Sequence, residues 1–99
     1  MVRIKWLTSS KMDLKEIYDY IALDSKHYAK LQIDKIFAKT QIIKKQIYVG
    51  KEVEEIQDSS VREIIEGNYR IIYRIINSDE VHILMIHHGA RGLKRRIKN

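Results

Sequence analysis

Residues 61–91 read VREIIEGNYRIIYRIINSDEVHILMIHHGAR, and this stretch limits the possible folds more than any other. Three short apolar runs rich in Ile, Val and Tyr are separated by Glu66-Gly67-Asn68 and by Asn77-Ser78-Asp79-Glu80. Both breaks contain residues that accept positive φ or make local side-chain hydrogen bonds in tight turns. Runs this short do not form independent helices, and their β-branched and aromatic content favours strands. The pattern predicts a three-stranded antiparallel meander.

Side chains alternate across a strand, so the middle run divides into two faces. One carries Tyr69, Ile71, Tyr73 and Ile75, a continuous apolar set; the other carries Arg70, Ile72, Arg74 and Ile76. Burying an unpaired guanidinium is very costly. The first face is therefore expected to pack on a core and the second to be an open basic surface, unless the arginines pair with Glu63 and Glu66 on neighbouring strands. In the last run Val81, Ile83 and Met85 alternate in phase with His87, which reads as a satisfied histidine at the core edge. His88 falls on the opposite face and is the candidate for the exposed surface.

Upstream, Val2, Ile4 and Trp6 alternate with Arg3, Lys5 and Leu7, predicting a first strand whose partners lie far along the chain. Ser9 and Ser10 are helix N-cap candidates, and Ser10 with Asp13 fits a Ser-x-x-acidic start. Leu14, Ile17, Tyr18 and Ile21 then recur at helical spacing. Asp24-Ser25 breaks that helix and can cap a second, over about His27 to Tyr48. Its apolar side holds Ala29, Ile33, Ile36, Phe37, Thr40, Ile43 and Ile47, while Lys30, Lys35, Lys39, Lys44 and Lys45 read as a solvated face. Tyr20, Leu31 and Ile42 fall off the stripes and are candidates for a partner surface. Gly50 is a natural stop.

Residues 51–60 carry Glu52, Glu54, Glu55 and Asp58 and read as a loop into the meander. Residues 91–99 hold Arg91, Lys94, Arg95, Arg96 and Lys98 with no acid, a pattern of a disordered tail or of a short helix that orders on a partner. The element order is β-α-α-β-β-β. It implies an α+β fold in one domain, 1–99, with an antiparallel sheet and a helical hairpin packed on one face.

A chain of 99 residues with 44% apolar and 32% charged residues suits one modest core and excludes a disordered protein. The net charge of +6 favours an acidic partner such as nucleic acid or an acidic protein. With no cysteine, disulfides and thiolate chemistry are excluded. No apolar run approaches the roughly 20 residues that span a bilayer, and MVRIKWLTSS does not read as a signal peptide. A soluble, cytoplasmic protein without membrane contact is expected. His87 and His88 point in opposite directions on a strand and have no third ligand in view, so neither metal nor cofactor is expected.

The helical pair followed by Val61-Arg62-Glu63, by Gly67-Asn68-Tyr69-Arg70-Ile71-Ile72-Tyr73-Arg74 and by His88-Gly89-Ala90-Arg91 resembles the RelE/ParE family of toxins from type II toxin–antitoxin modules, over nearly the whole chain. The resemblance implies a small α+β toxin of the plasmid-stabilisation type that arrests bacterial growth. It also implies a cognate antitoxin partner, with an acidic or amphipathic segment, that can form a hetero-oligomer with it. One branch of the family cleaves mRNA on the ribosome without a metal; the other inhibits DNA gyrase.

RNA cleavage needs a base, an acid and cations for the phosphate charge. Under that alternative, Glu63 and His88 are the proton carriers, with His87 a further candidate, and Arg62, Arg70 and Arg91 the phosphate partners, since guanidinium donates in pairs. The absence of any Tyr after Tyr73, the acidic 51–60 loop and the His-Gly-Ala-Arg ending point instead to the ParE-like, gyrase-inhibiting branch. Under either reading, Arg62, Arg70, Arg74, His88, Arg91, Lys94, Arg95 and Arg96 are the candidate target- and antitoxin-binding residues. A non-toxic basic module that binds RNA or protein is the remaining alternative.

Overall fold

The meander forms as its turn residues dictate. β3 (Val61–Glu66) and β4 (Tyr69–Asn77) are joined by the two residues Gly67-Asn68, with Glu66 opposite Tyr69. Gly67 takes a φ of +58°, which a two-residue hairpin loop reserves for glycine. β4 passes to β5 (Glu80–His88) through Ser78-Asp79, where the Asn77 side chain accepts a hydrogen bond from the Asp79 amide at 2.8 Å.

The computed structural model describes residues 1–97. Ahead of the meander lie β1 (Arg3–Trp6), α1 (Thr8–Ala22), α2 (Lys26–Lys45) and the two-residue β2 (Lys51–Glu52); a single turn, α3 (Lys94–Ile97), follows it. The sheet order is β1-β5-β4-β3-β2. The fold is α+β, with the helical hairpin on one face as expected. Two details differ from the sequence reading. Part of the acidic loop adds β2 to the sheet edge, and β1 lies parallel to β5 while every other pairing is antiparallel.

β1 ends at Trp6, opposite Ile83, and α1 finishes the edge of β5 with its side chains. The Ser9 hydroxyl donates to the Leu84 carbonyl at 2.6 Å, and Asp13 accepts from the Ile86 amide at 2.9 Å. Asp13 therefore does not close a capping box with Ser10. Leu7 occupies the N-cap position without a side-chain bond, and buried Ser10 donates to the Leu7 carbonyl at 2.6 Å. The edge amides of β5 need partners, and that need outranks the local start signal. Ser25 does cap α2, accepting from the Tyr28 amide at 3.2 Å.

The main core lies between the hairpin and the sheet: Leu14 from α1, Ile36 and Ile43 from α2, and Ile71, Tyr73, Val81, Ile83 and Ile86 from β4 and β5. Ile17, Ile33, Ile47, Tyr69 and Ile75 pack around it, as their spacing predicts. Phe37 stays 42% exposed, with its ring 4.9 Å from that of Trp6. Tyr20, Leu31 and Ile42, the off-stripe residues, are exposed.

Tyr73 is fully buried, and its hydroxyl joins the sheet to the end of the helical layer. It donates to the Ile47 carbonyl at 2.8 Å and accepts from the Gly50 amide at 2.9 Å. Burial pushes the phenol's pKa up, which keeps it a neutral donor. Gly50 does not end α2, which stops at Lys45. It permits close approach: a Cβ there would sit 2.7 Å from both the Tyr73 hydroxyl and the Glu63 carbonyl. Tyr73→Phe leaves two buried backbone groups without a partner and is expected to cost about 1–3 kcal/mol, measured by urea denaturation. A loss within error would mean that other groups take over those bonds.

Candidate functional site

The second sheet face is not the open basic surface that the alternation of β4 suggests. Ile72 is fully buried there in a second apolar cluster with Val53, Val61 and Leu93, flanked by Ile56, Leu84 and Met85. Residues 53–60 fold back across this face, and Leu93 reaches it from the segment after β5. Apolar residues set in an acidic stretch (Val53 and Ile56) and in a basic one (Leu93) are the sequence signals for this closure, which periodicity alone does not reveal.

Folding back brings acids to the arginines. Arg70 donates from Nε to Glu63 at 2.6 Å and from Nη2 to the same carboxylate at 3.1 Å. Two further bonds, both of 2.9 Å, go from Nη1 and Nη2 to Glu55. Glu63 is only 5% exposed, so its charge depends on this partner. Arg70 holds the Glu55 carboxyl well below the usual carboxylate range, at about 2, and its own pKa is raised in return. Arg74 donates to Asp58 and to the Ser60 hydroxyl, both at 3.1 Å. An open cleft of about 590 Å³ beside this network is lined by Lys51, Glu54, Gln57 and Lys94 as well as by Glu55, Glu63 and Arg70.

A β-bulge redirects the histidines. The β4–β5 register runs Ile72↔Met85 and then Tyr73↔Ile83, leaving Leu84 as the extra residue. A bulge reverses the alternation beyond it. His87 consequently lies opposite Arg70 on the face covered by the strap of residues 53–60, buried, with Nε2 2.9 Å from the Arg91 carbonyl. His88 lies opposite Tyr69 on the helix-packed face, the rings edge-on at 5.3 Å, and its Nδ1 accepts from the Ala90 amide at 3.2 Å. Simple alternation gave the reverse assignment of faces, because a bulge leaves no mark in apolar spacing.

The remaining basic residues divide into held and open. Arg62 donates to the carbonyls of Ser59 at 2.9 Å and Gly50 at 3.2 Å, and its guanidinium lies 5.4 Å from the centre of the Tyr48 ring. Arg96 bonds Asp13 and the Ile86 carbonyl, tying α3 to α1 and β5. Arg91, Lys94 and Arg95 are exposed and make no ion pair among the described residues. The residues proposed for RNA cleavage are thus divided. Glu63 and Arg70 neutralise each other on one face, His88 is on the other, and Arg91 follows the end of β5. No group of three or more potential metal ligands occurs among the described residues, and no helix among them is long and apolar enough to cross a membrane.

A second concavity, of about 320 Å³, runs between α2 and the sheet edge. Ile42, Val49, Ile64 and Ile65 give it an apolar lining, with Lys39 and Lys51 alongside. β2 pairs only with Arg62 and Glu63, so the outer edge of β3 beyond Glu63 is unpaired among the described residues.

This is a small α+β domain, with its helical hairpin on one sheet face and the exposed Arg91, Lys94 and Arg95 in the segment after β5. A family model described as the ParE toxin of type II toxin–antitoxin system, parDE, matches residues 4–93. The chain belongs to that family. Among solved structures, a chain of the chromosomal ParDE TA system from P. aeruginosa has the same fold. Its TM-score is 0.71 at 22% identity, over 89% of this chain and 96% of that one. A search of the curated proteins gave no significant match.

Two outcomes test the geometry of the closed face. Leu93→Ala removes a side chain that is 1% exposed and is expected to cost about 2–5 kcal/mol in thermal or urea denaturation; a neutral effect would mean that this segment does not dock. Because the folded Glu55 carboxyl is depressed from 4.5 to about 2, its contribution is complete above about pH 5. It declines as the pH falls through about 2. Glu55→Gln should therefore lower stability at neutral pH and flatten the acid limb. Parallel melting-temperature profiles for the two proteins would remove this role.

Proposed function

We propose that this chain is a growth-arresting toxin that inhibits DNA gyrase in the bacterial cytoplasm and is neutralised by a cognate antitoxin, in a module of the plasmid-stabilisation kind. The observation that carries the choice of target is the closure of Arg70 and Glu63 into one ion-paired network with Glu55. A metal-free nuclease needs a free proton carrier beside a free phosphate-binding cation, and here these two groups bind one another. A protein-inhibiting toxin needs neither. It needs a stable scaffold that presents a charged, partly apolar surface to its target.

On this reading Arg91, Lys94 and Arg95 make the first contacts with an acidic target surface, and Arg62, Arg74, Arg96 and His88 are the further candidates. The antitoxin places apolar and acidic side chains in the groove beside Ile42, Val49 and Ile65 and against the same basic end. Coupled folding of a disordered segment suits such a surface, because it covers a large area and is reversed when the free partner is degraded.

The test is tightly controlled induction in a bacterial host, with thymidine and methionine incorporation followed side by side. DNA synthesis is expected to fall first, and the purified protein to inhibit supercoiling by gyrase. An earlier fall in protein synthesis would replace this reading with a ribosome-dependent nuclease, and continued growth would indicate a binding module. The variant Arg91→Ala/Lys94→Ala/Arg95→Ala should weaken inhibition on the order of tenfold with an unchanged circular-dichroism spectrum. Full inhibition would exclude those residues as the contact. Arg70→Ala cannot serve this purpose, since it leaves the buried Glu63 carboxylate unpaired and compromises the fold.

A further inference from the structure

Arg70 and Arg74 stand four residues apart on one face of β4, where a strand presents cations in register to a polyanion. Both are occupied from within the chain. Glu55 takes two donors of Arg70 at 2.9 Å while Glu63 takes the others, and Asp58 takes Arg74 at 3.1 Å. A carboxylate that accepts a pair of guanidinium N–H groups makes the contact a phosphate would make.

The acids are held to this task. Both the amide and the hydroxyl of Ser60 donate to Asp58, at 2.9 and 2.7 Å. Val53 and Ile56 anchor the segment in the cluster around Ile72, and Gln57 adopts a left-handed φ of +54° between the two acids.

We propose that residues 53–60 form an internal phosphate mimic, which occupies the arginines of this sheet face and keeps nucleic-acid backbone from binding there. The inference does not depend on which target the toxin has. It means that the net charge of +6 acts outward through α2 and the basic end.

The test uses the full chain carrying Glu55→Gln/Asp58→Asn. A control, Glu16→Gln/Asp24→Asn, removes the same charge from two exposed acids that form no salt bridge among the described residues. Retention on heparin and binding of a fluorescent single-stranded oligonucleotide are measured across a salt series. The Glu55/Asp58 variant is expected to elute at higher salt than wild type and control. Its log K against log salt slope should steepen by about one to two, for the one or two cations released. Adding Arg74→Gln should reverse part of that gain.

Variant and control moving together would show an effect of net charge alone and overturn the proposal. If the double variant does not fold, Asp58→Asn alone carries the test, because that carboxylate is 42% exposed. It should steepen the slope by about one, and an unchanged slope would likewise overturn the proposal.

Discussion

Glu63 is a carboxylate on an inner strand with almost no contact with water. Its charge is tolerable only beside a well-oriented cation, and removing one partner of such a pair typically costs about 3–5 kcal/mol. Arg70 meets that requirement from the next strand, and its remaining donors draw Glu55 down onto the sheet. With Glu55 come Val53 and Ile56, which give Ile72 an apolar covering that Leu93 completes. The closed second face follows from one buried charge and the groups needed to satisfy it.

The two faces of the sheet therefore differ in how they are held. Toward the helices, packing dominates, and the Tyr73 hydroxyl bridges Ile47 and Gly50. Toward the strap, ion pairs with low exposure hold short segments that have little regular structure. In the polar cleft on the second face, Glu55, Glu63 and Arg70 are engaged with one another, while Lys51, Glu54 and Lys94 also line it. What the two faces leave open is the perimeter: the groove along the β3 edge, the exposed apolar residues of the hairpin, and the basic segment after β5.

Where periodicity existed, the fold was legible. The alternation of Tyr69, Ile71, Tyr73 and Ile75 and the stripe from Ala29 to Ile47 locate the main core, and Gly67 and Asn77 mark the turns they form. Less was legible of the candidate site. The pairing of Arg70 with Glu63 follows from their being cross-strand neighbours, but Glu55 and Asp58 approach through a segment with no repeat to read. The bulge at Leu84 is equally silent in the sequence, and it alone decides which face His87 and His88 occupy. Ser10 and Asp13 had the spacing of a cap, yet a bare strand edge made the stronger demand.

The parallel pairing of β1 with β5 has a consequence for the order of synthesis. Arg3 meets Glu80, 77 positions further along the chain, and Ser9 and Asp13 wait for backbone groups of the same distant strand. A chain emerges N-terminus first, so β1 and the first turns of α1 have no sheet to join until β5 has been translated. The sheet therefore gains its β1 edge, and α1 its anchors on the sheet, only after Glu80–His88 has been made.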